Sequence, residues 1–148
     1  MKQLASLKSL FTSQSPLPPW PNPKESIGRP ISFLTLRKGY SCWEAIGPAS
    51  KLFEEELAPA AIGYLDRCLV SDTYAVRLSL YIIGKTEDSA APHLFIICRD
   101  KDTRRNAREL LEESSIMQDE KFAGFRLGVS AIAPGESALQ RYSHAIYR

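Results

Sequence analysis

The chain lacks any long hydrophobic run. Its longest uninterrupted apolar stretches are Leu80–Ile83 and Leu94–Cys98, whereas a helix that crosses a bilayer needs about 20 apolar residues. The sequence therefore predicts no membrane span. Lys2 and Lys8 interrupt the N-terminal apolar residues, so no secretory signal is expected. Because no acid precedes Glu25, a mitochondrial presequence is an alternative; we favour an intracellular protein of the cytoplasm or nucleus.

Cysteine and histidine are scarce and scattered. Cys42, Cys68 and Cys98 form no CxxC pair, and the two histidines are His93 and His144. A zinc site needs closely spaced ligands, usually four, so we predict no metal. On one strand, Cys98 and His93 would face opposite sides and could not form a nucleophile–base pair. We expect reduced, buried thiols and no catalytic residue.

Nucleotide-binding loops are absent as well. Neither GxxxxGK[ST] nor GxGxxG occurs, and Gly84-Lys85-Thr86 lacks the upstream glycine of a P-loop. The formal net charge of +2 is too small to indicate nucleic acid as a partner. We therefore predict no cofactor and no nucleic-acid function.

What the sequence does contain is the pattern of a folded domain of 148 residues, of which 44% are hydrophobic. Alternating apolar residues predict a strand over Thr73–Lys85, and a nearly all-apolar run predicts a central strand over His93–Arg99. Asp100 is a candidate N-cap for a helix that ends near residue 115. A last strand is predicted over Gly124–Ile132.

The N-terminal half is predicted to supply helices and one edge strand. Pro30–Leu36 is β-prone, while Ser41–Glu44 matches a capping box that would open a helix. From Pro48 to Cys68 apolar residues recur at helical spacing, with Pro59 expected to kink or divide the helix. The predicted fold is α+β: a small mixed or antiparallel sheet of three to four strands, with N-terminal helices and one strand-crossing helix packed on it.

Three regions are predicted along the chain: a flexible proline-rich arm (1–27), one α+β domain (28–135) and a C-terminal tail or short helix (136–148). The arm is either a stiff polyproline spacer or a ligand for a proline-binding domain, since Pro16 and Pro19 have PxxP spacing. The candidate ligand residues are Pro16, Pro18, Pro19 and Trp20.

A cluster of cations follows the second predicted strand and enters the helix. A helix N-terminus attracts anions, and cations there are unfavourable for the helix itself, so this corner is a candidate site for a phosphate-type anion or an acidic partner. The alternative is ordinary pairing along the helix, Arg105 with Glu109 and Arg108 with Glu112. The candidate residues are Arg99, Lys101, Arg104, Arg105 and Arg108.

A set of short motifs lies between Leu78 and about Phe125: Tyr81-Ile82-Ile83-Gly84-Lys85-Thr86, Ala90-Ala91-Pro92, Cys98-Arg99-Asp100, Arg104-Arg105, Ala107-Arg108 and Glu113-Ser114. In these motifs the stretch resembles a domain that recurs in predicted proteins of filamentous fungi. No established activity belongs to that family, so the resemblance implies no catalytic residue.

Two functions stay open from the sequence. The first is a non-enzymatic binding or protein-interaction domain of unknown specificity, in a fungal setting a regulatory or effector-like one, whose partner is another protein. The alternative is a small enzyme or ligand-binding protein that holds a small anion at the corner Cys98–Arg108. The sequence leaves the oligomeric state open.

Overall fold

The computed structural model describes residues 17–33, 36–69 and 75–135. Within them a wide π-type turn (Phe53–Leu57) joins the first two helices, and short 3-10 turns lie at Pro23–Ser26 and Glu120–Phe122. The strands are β1 (Ile27–Ile31), β2 (Ser41–Ala45), β3 (Arg77–Gly84), β4 (Ala91–Ile97) and β5 (Arg126–Ser130), and the helices are α1 (Gly47–Leu52), α2 (Ala58–Cys68) and α3 (Lys101–Glu113).

The five strands form one mixed sheet in the order β1-β2-β3-β4-β5. The first four run antiparallel to their neighbours, whereas β5 lies parallel to β4. A parallel neighbour requires a crossover, and α3 provides it. The α+β class is as predicted, but the expectation of three to four strands was wrong.

The missing strand is β2, at the residues that match a capping box. Ser41–Glu44 does not open a helix: these residues pair with β1 on one side and β3 on the other. Alternation explains the difference, because Cys42 and Trp43 are buried in cores on opposite faces of the sheet. Pairing on both sides supplies long-range hydrogen bonds that a local cap pattern does not reveal.

The helices α1 and α2 therefore follow two strands, whereas the sequence predicted N-terminal helices preceded by one edge strand at most. Pro48 lies in the first turn of α1, where its missing amide costs nothing. Pro59 occupies the first turn of α2, directly after the π-type turn. In the region where the sequence predicted that Pro59 kinks or divides the helix, the helix widens locally between α1 and α2.

The second half of the chain lies close to its predicted form. Strands β3, β4 and β5 fall within or near their predicted ranges, although residues 73 and 74 lie outside the described residues. Asp100 caps α3 by accepting a hydrogen bond from the Thr103 amide at 2.9 Å. Strand β4 is paired on both sides and buried over nearly its whole length, as its apolar sequence predicted.

Two apolar cores lie on opposite faces of the sheet. The larger core packs the helices on residues such as Ile82, Leu94 and Ile96. The smaller core surrounds Phe95, whose ring contacts Phe33 at a centroid distance of 5.5 Å. Its buried members are Cys42, Ile83, Phe95, Ile97 and Ala133.

The described end of the proline-rich segment packs against the domain. Trp20 meets Phe125 edge to face at 5.3 Å between ring centroids. Its Nε1 donates to the Ser26 hydroxyl (3.3 Å), which also accepts from the Ala49 amide at 3.1 Å. The N-cap residue of α1 is Ile46, whose side chain makes no capping hydrogen bond. The fully buried Ser26, 23 residues away in the sequence, accepts from a first-turn amide of α1 instead. Residues 1–16 and 136–148 lie outside the described part.

We expect Ser26→Ala to lower the free energy of unfolding by about 1 to 3 kcal/mol, because the buried Ala49 amide would lose its acceptor. Urea or thermal unfolding measures the change. The matched control is Ser89→Ala in the exposed β3–β4 loop, where Ser89 exchanges hydrogen bonds with Thr86. Equal losses in the two variants would contradict the remote cap.

Candidate functional site

The corner between β4 and α3 uses its own carboxylate at the helix N-terminus. Asp100 Oδ2 accepts from the Thr103 amide at 2.9 Å and from the Thr103 hydroxyl at 2.7 Å. These hydrogen bonds hold the pKa of Asp100 below its ordinary value. An incoming anion would therefore compete with an ionised side chain for the same amide.

Three of the five predicted cations bond to neighbouring groups of the corner. Arg104 Nη1 donates to the carbonyls of Cys98 (3.0 Å) and Arg99 (3.3 Å). Arg105 pairs with Asp102 at 3.0 Å rather than with Glu109. Of the two pairs that the sequence indicated, Arg108 with Glu112 forms, at 3.6 Å.

Arg99 and Lys101 are exposed at this corner. Arg105 is exposed as well, although it pairs with Asp102, whereas Arg104 donates to the carbonyls at the end of β4. The anion-binding role of the corner stays a prediction.

The candidate proline-rich ligand is likewise divided. Pro18 and Pro19 are exposed, whereas Trp20 is half-buried, and Pro16 lies outside the described residues. The Pro18 carbonyl accepts a hydrogen bond from Arg126 at 3.2 Å. Trp20 also lies against Gly124, where a Cβ would stand 2.8 Å from the indole. The Trp20 ring is therefore occupied within the domain, and recognition by a proline-binding partner stays a prediction.

The thiols do not assemble a reactive centre in the described residues. Cys42 and Cys98 are buried and Cys68 is exposed. Burial raises the pKa of Cys42 to about 12, which keeps this thiol protonated at neutral pH. In the described ranges, no three side chains of the His, Cys, Asp and Glu type are grouped to hold a metal ion.

A row of polar side chains crosses the sheet on the face away from the helices. The strand registers align Glu44 with Tyr81, Tyr81 with His93, and His93 with Arg126. All four residues are half-buried. Arg29 on β1 extends the row by two hydrogen bonds to the Glu44 carboxylate, at 3.1 and 3.2 Å. We call these five residues the polar row.

His93 has a defined protonation in this row. Its Nδ1 lies 2.9 Å from the Ala91 carbonyl, which can only accept, so Nδ1 carries the proton and Nε2 of the neutral ring is an acceptor. Burial lowers the pKa of His93, and the positive charge of Arg126 lowers it further. The ring is therefore neutral at pH 7.

Sequence reasoning missed the polar row. The alternation within β5 predicted that Arg126 and Leu127 face opposite sides of the sheet. The sequence of one strand does not show which residues of the neighbouring strand lie next to Arg126. Glu44 was placed in a helix, which removed one of the row's members from the sheet altogether.

The two outer edges of the sheet differ. Strand β1 carries a bulge between Ile27 and Pro30, and Pro30 has no amide to donate. Both are devices that keep an edge strand from pairing with another chain. Strand β5 has neither: its register with β4 is continuous and its centre is Leu127-Gly128-Val129.

The outward main-chain groups of β5 follow from its pairing. The Cys98 amide donates to the Ser130 carbonyl at 3.1 Å, so Ser130 directs its peptide groups towards β4. Because that direction alternates along a strand, Gly128 also faces β4, and Leu127 and Val129 face outwards. No strand within the described residues pairs with this side of β5. We call it the β5 edge.

The comparisons with known proteins add no identity: no family model, curated protein or solved structure matches the chain. Among the helices of the described part, none is long and apolar enough to cross a membrane.

His93 should make stability fall as the pH is lowered. Its folded-state pKa lies below the unfolded value of about 6.5, so the unfolded chain takes up the proton first. Stability present above about pH 6.5 is then lost on acidification, at up to about 1.4 kcal/mol per pH unit. Urea unfolding between about pH 7 and 5 should show a shallower loss for His93→Gln, which can still donate to the Ala91 carbonyl. Parallel curves for the two proteins would contradict this role.

Proposed function

We propose that this protein is a non-enzymatic interaction domain that binds an extended protein segment along the β5 edge. One observation carries the proposal: the β1 edge is guarded by a bulge and by Pro30, whereas β5 pairs regularly and has no proline, bulge or central charge. An unguarded regular edge is what strand addition requires.

Main-chain groups would supply the affinity. The amides and carbonyls of Leu127 and Val129 face away from β4, so an added strand could form four hydrogen bonds with these two residues. Such bonds do not depend on the partner's side chains, and specificity would come from the positions that flank them.

The two faces of β5 favour a bound segment in which apolar and polar residues alternate. Leu127 and Val129 pack on the helix-side core, while Arg126 and Ser130 lie on the opposite face with the polar row. A bound segment would place its side chains alternately beside these two surfaces. We therefore expect apolar residues on its helix side and polar residues on the other.

The alternative, an anion held at the corner Cys98–Arg108, has weaker support. Asp100 already accepts from the Thr103 amide, and Arg104 is engaged with two carbonyls. A regulatory or effector-like role in a fungus is part of the same proposal, and the resemblance over residues 78–125 is its only support.

Short peptides selected from a random display library on the full chain provide the test. N-methylation of alternate peptide residues, in the phase that faces β5, should weaken binding roughly 5- to 150-fold, because two main-chain hydrogen bonds are lost. Methylation of the intervening residues should have little effect. Titration calorimetry or fluorescence anisotropy measures both.

On the protein, Val129→Pro removes an outward amide and should abolish this binding, whereas Val129→Ala keeps the amide and should retain it. Circular dichroism checks that both variants fold. Peptides that bind Val129→Pro as well as the original chain, or that lose equal affinity in both methylation phases, would overturn the proposal.

A further inference from the structure

We infer that the partner of the β5 edge is a second copy of this chain, paired antiparallel through β5 about a two-fold axis at Gly128. This inference rests on the proposed function, since it names the partner of the same edge. It would join two five-stranded sheets into one continuous sheet of two copies.

The register follows from the direction of the peptide groups. In an antiparallel pair, residues that face each other with their amides and carbonyls exchange two hydrogen bonds. An axis at Gly128 sets Leu127 opposite Val129 of the other copy, and both of these residues face outwards. The two symmetric pairs give four hydrogen bonds, and all five residues of β5 are matched.

The side chains are compatible with this arrangement. Arg126 of one copy falls opposite Ser130 of the other, so no two like charges face each other across the axis. The Arg126 guanidinium is held by the carbonyls of Gly124 (2.7 Å) and Pro18 (3.2 Å). Leu127 opposite Val129 sets apolar beside apolar, next to the helix-side core.

Gly128 suits the centre of such a pair. Residues that do not exchange hydrogen bonds approach most closely in an antiparallel ladder, at about 4.5 Å between Cα atoms. Gly128 also leaves room for the Phe95 ring, which a Cβ would meet at 3.0 Å. The same missing side chain therefore serves the smaller core within one copy and permits close approach between two.

The self-pairing edge is small, which predicts weak association. A standard protein interface buries about 1,600 Å², more than one pair of five-residue strands provides. We therefore expect a dissociation constant between about 10 μM and 1 mM. Sedimentation velocity of the full chain across that range should show a shift from monomer to dimer.

Val129→Pro should remain monomeric throughout, whereas Val129→Ala should dimerise. The proline removes a hydrogen-bond donor next to the axis without removing a bond to β4, because the Val129 amide faces outwards. Dimers of a folded Val129→Pro variant would overturn the inference by placing the contact elsewhere.

A charge pair at residue 130 tests the register and does not depend on the proline. The Ser130 hydroxyl donates to the Ile132 carbonyl and accepts from the Ile132 amide; Ser130→Glu and Ser130→Lys both lose these bonds. They differ only in the charge that faces Arg126 of the other copy. The glutamate variant should dimerise about 2- to 30-fold more tightly than the lysine variant at low salt, and high salt should reduce the difference. Equal constants would overturn the register.

Failure of this inference and failure of the proposed function give different results. A chain that stays monomeric at about 1 mM yet binds selected peptides at β5 refutes the second copy and leaves the interaction domain standing. A chain that neither dimerises nor binds such peptides refutes both.

Discussion

The parallel pairing of β5 with β4 is the constraint on which the arrangement of the molecule depends. Two neighbouring parallel strands cannot be joined by a tight turn, so the chain must return along the sheet, and it does so as α3. The helices then cover one face, and the other is left to the small Phe95 core and the polar row. The sheet also ends at β5, since no described strand follows it.

Much of the second half could be predicted because its signals are local. Asp100 lies next to the helix that it caps, and the apolar residues of β4 are contiguous. The first half depends on distant partners. Ser41–Glu44 satisfies a local helix pattern, but pairing with β1 and β3 on its two sides determines the outcome. The polar row and the β5 edge could not be predicted, because lateral alignment and strand order are properties of the assembled sheet.

Charge alone was a poor guide to the candidate site. The corner concentrates cations, yet Asp102 and the carbonyls of Cys98 and Arg99 already accept from two of them. Asp100 accepts from the Thr103 amide at the helix N-terminus. By contrast, the β5 edge is nearly free of charge. What distinguishes it is that it lacks the bulge and the proline of the β1 edge. The candidate site is thus defined by a difference between the two edge strands of one sheet, and the amino-acid composition does not show that difference.

The remote cap of α1 has a consequence for how the chain is assembled. A helix whose first turn relies on Ser26 cannot be completed by its own residues, so α1 and the segment before β1 must become ordered together. Closing that loop costs entropy before any helical gain is realised. Proteolytic cleavage between Ser26 and Ile27 would leave the sequence of every strand intact. It would still remove the hydroxyl that accepts from the first turn of α1. Residues 17–26 thus work as part of the folding unit, although they contribute no strand to it.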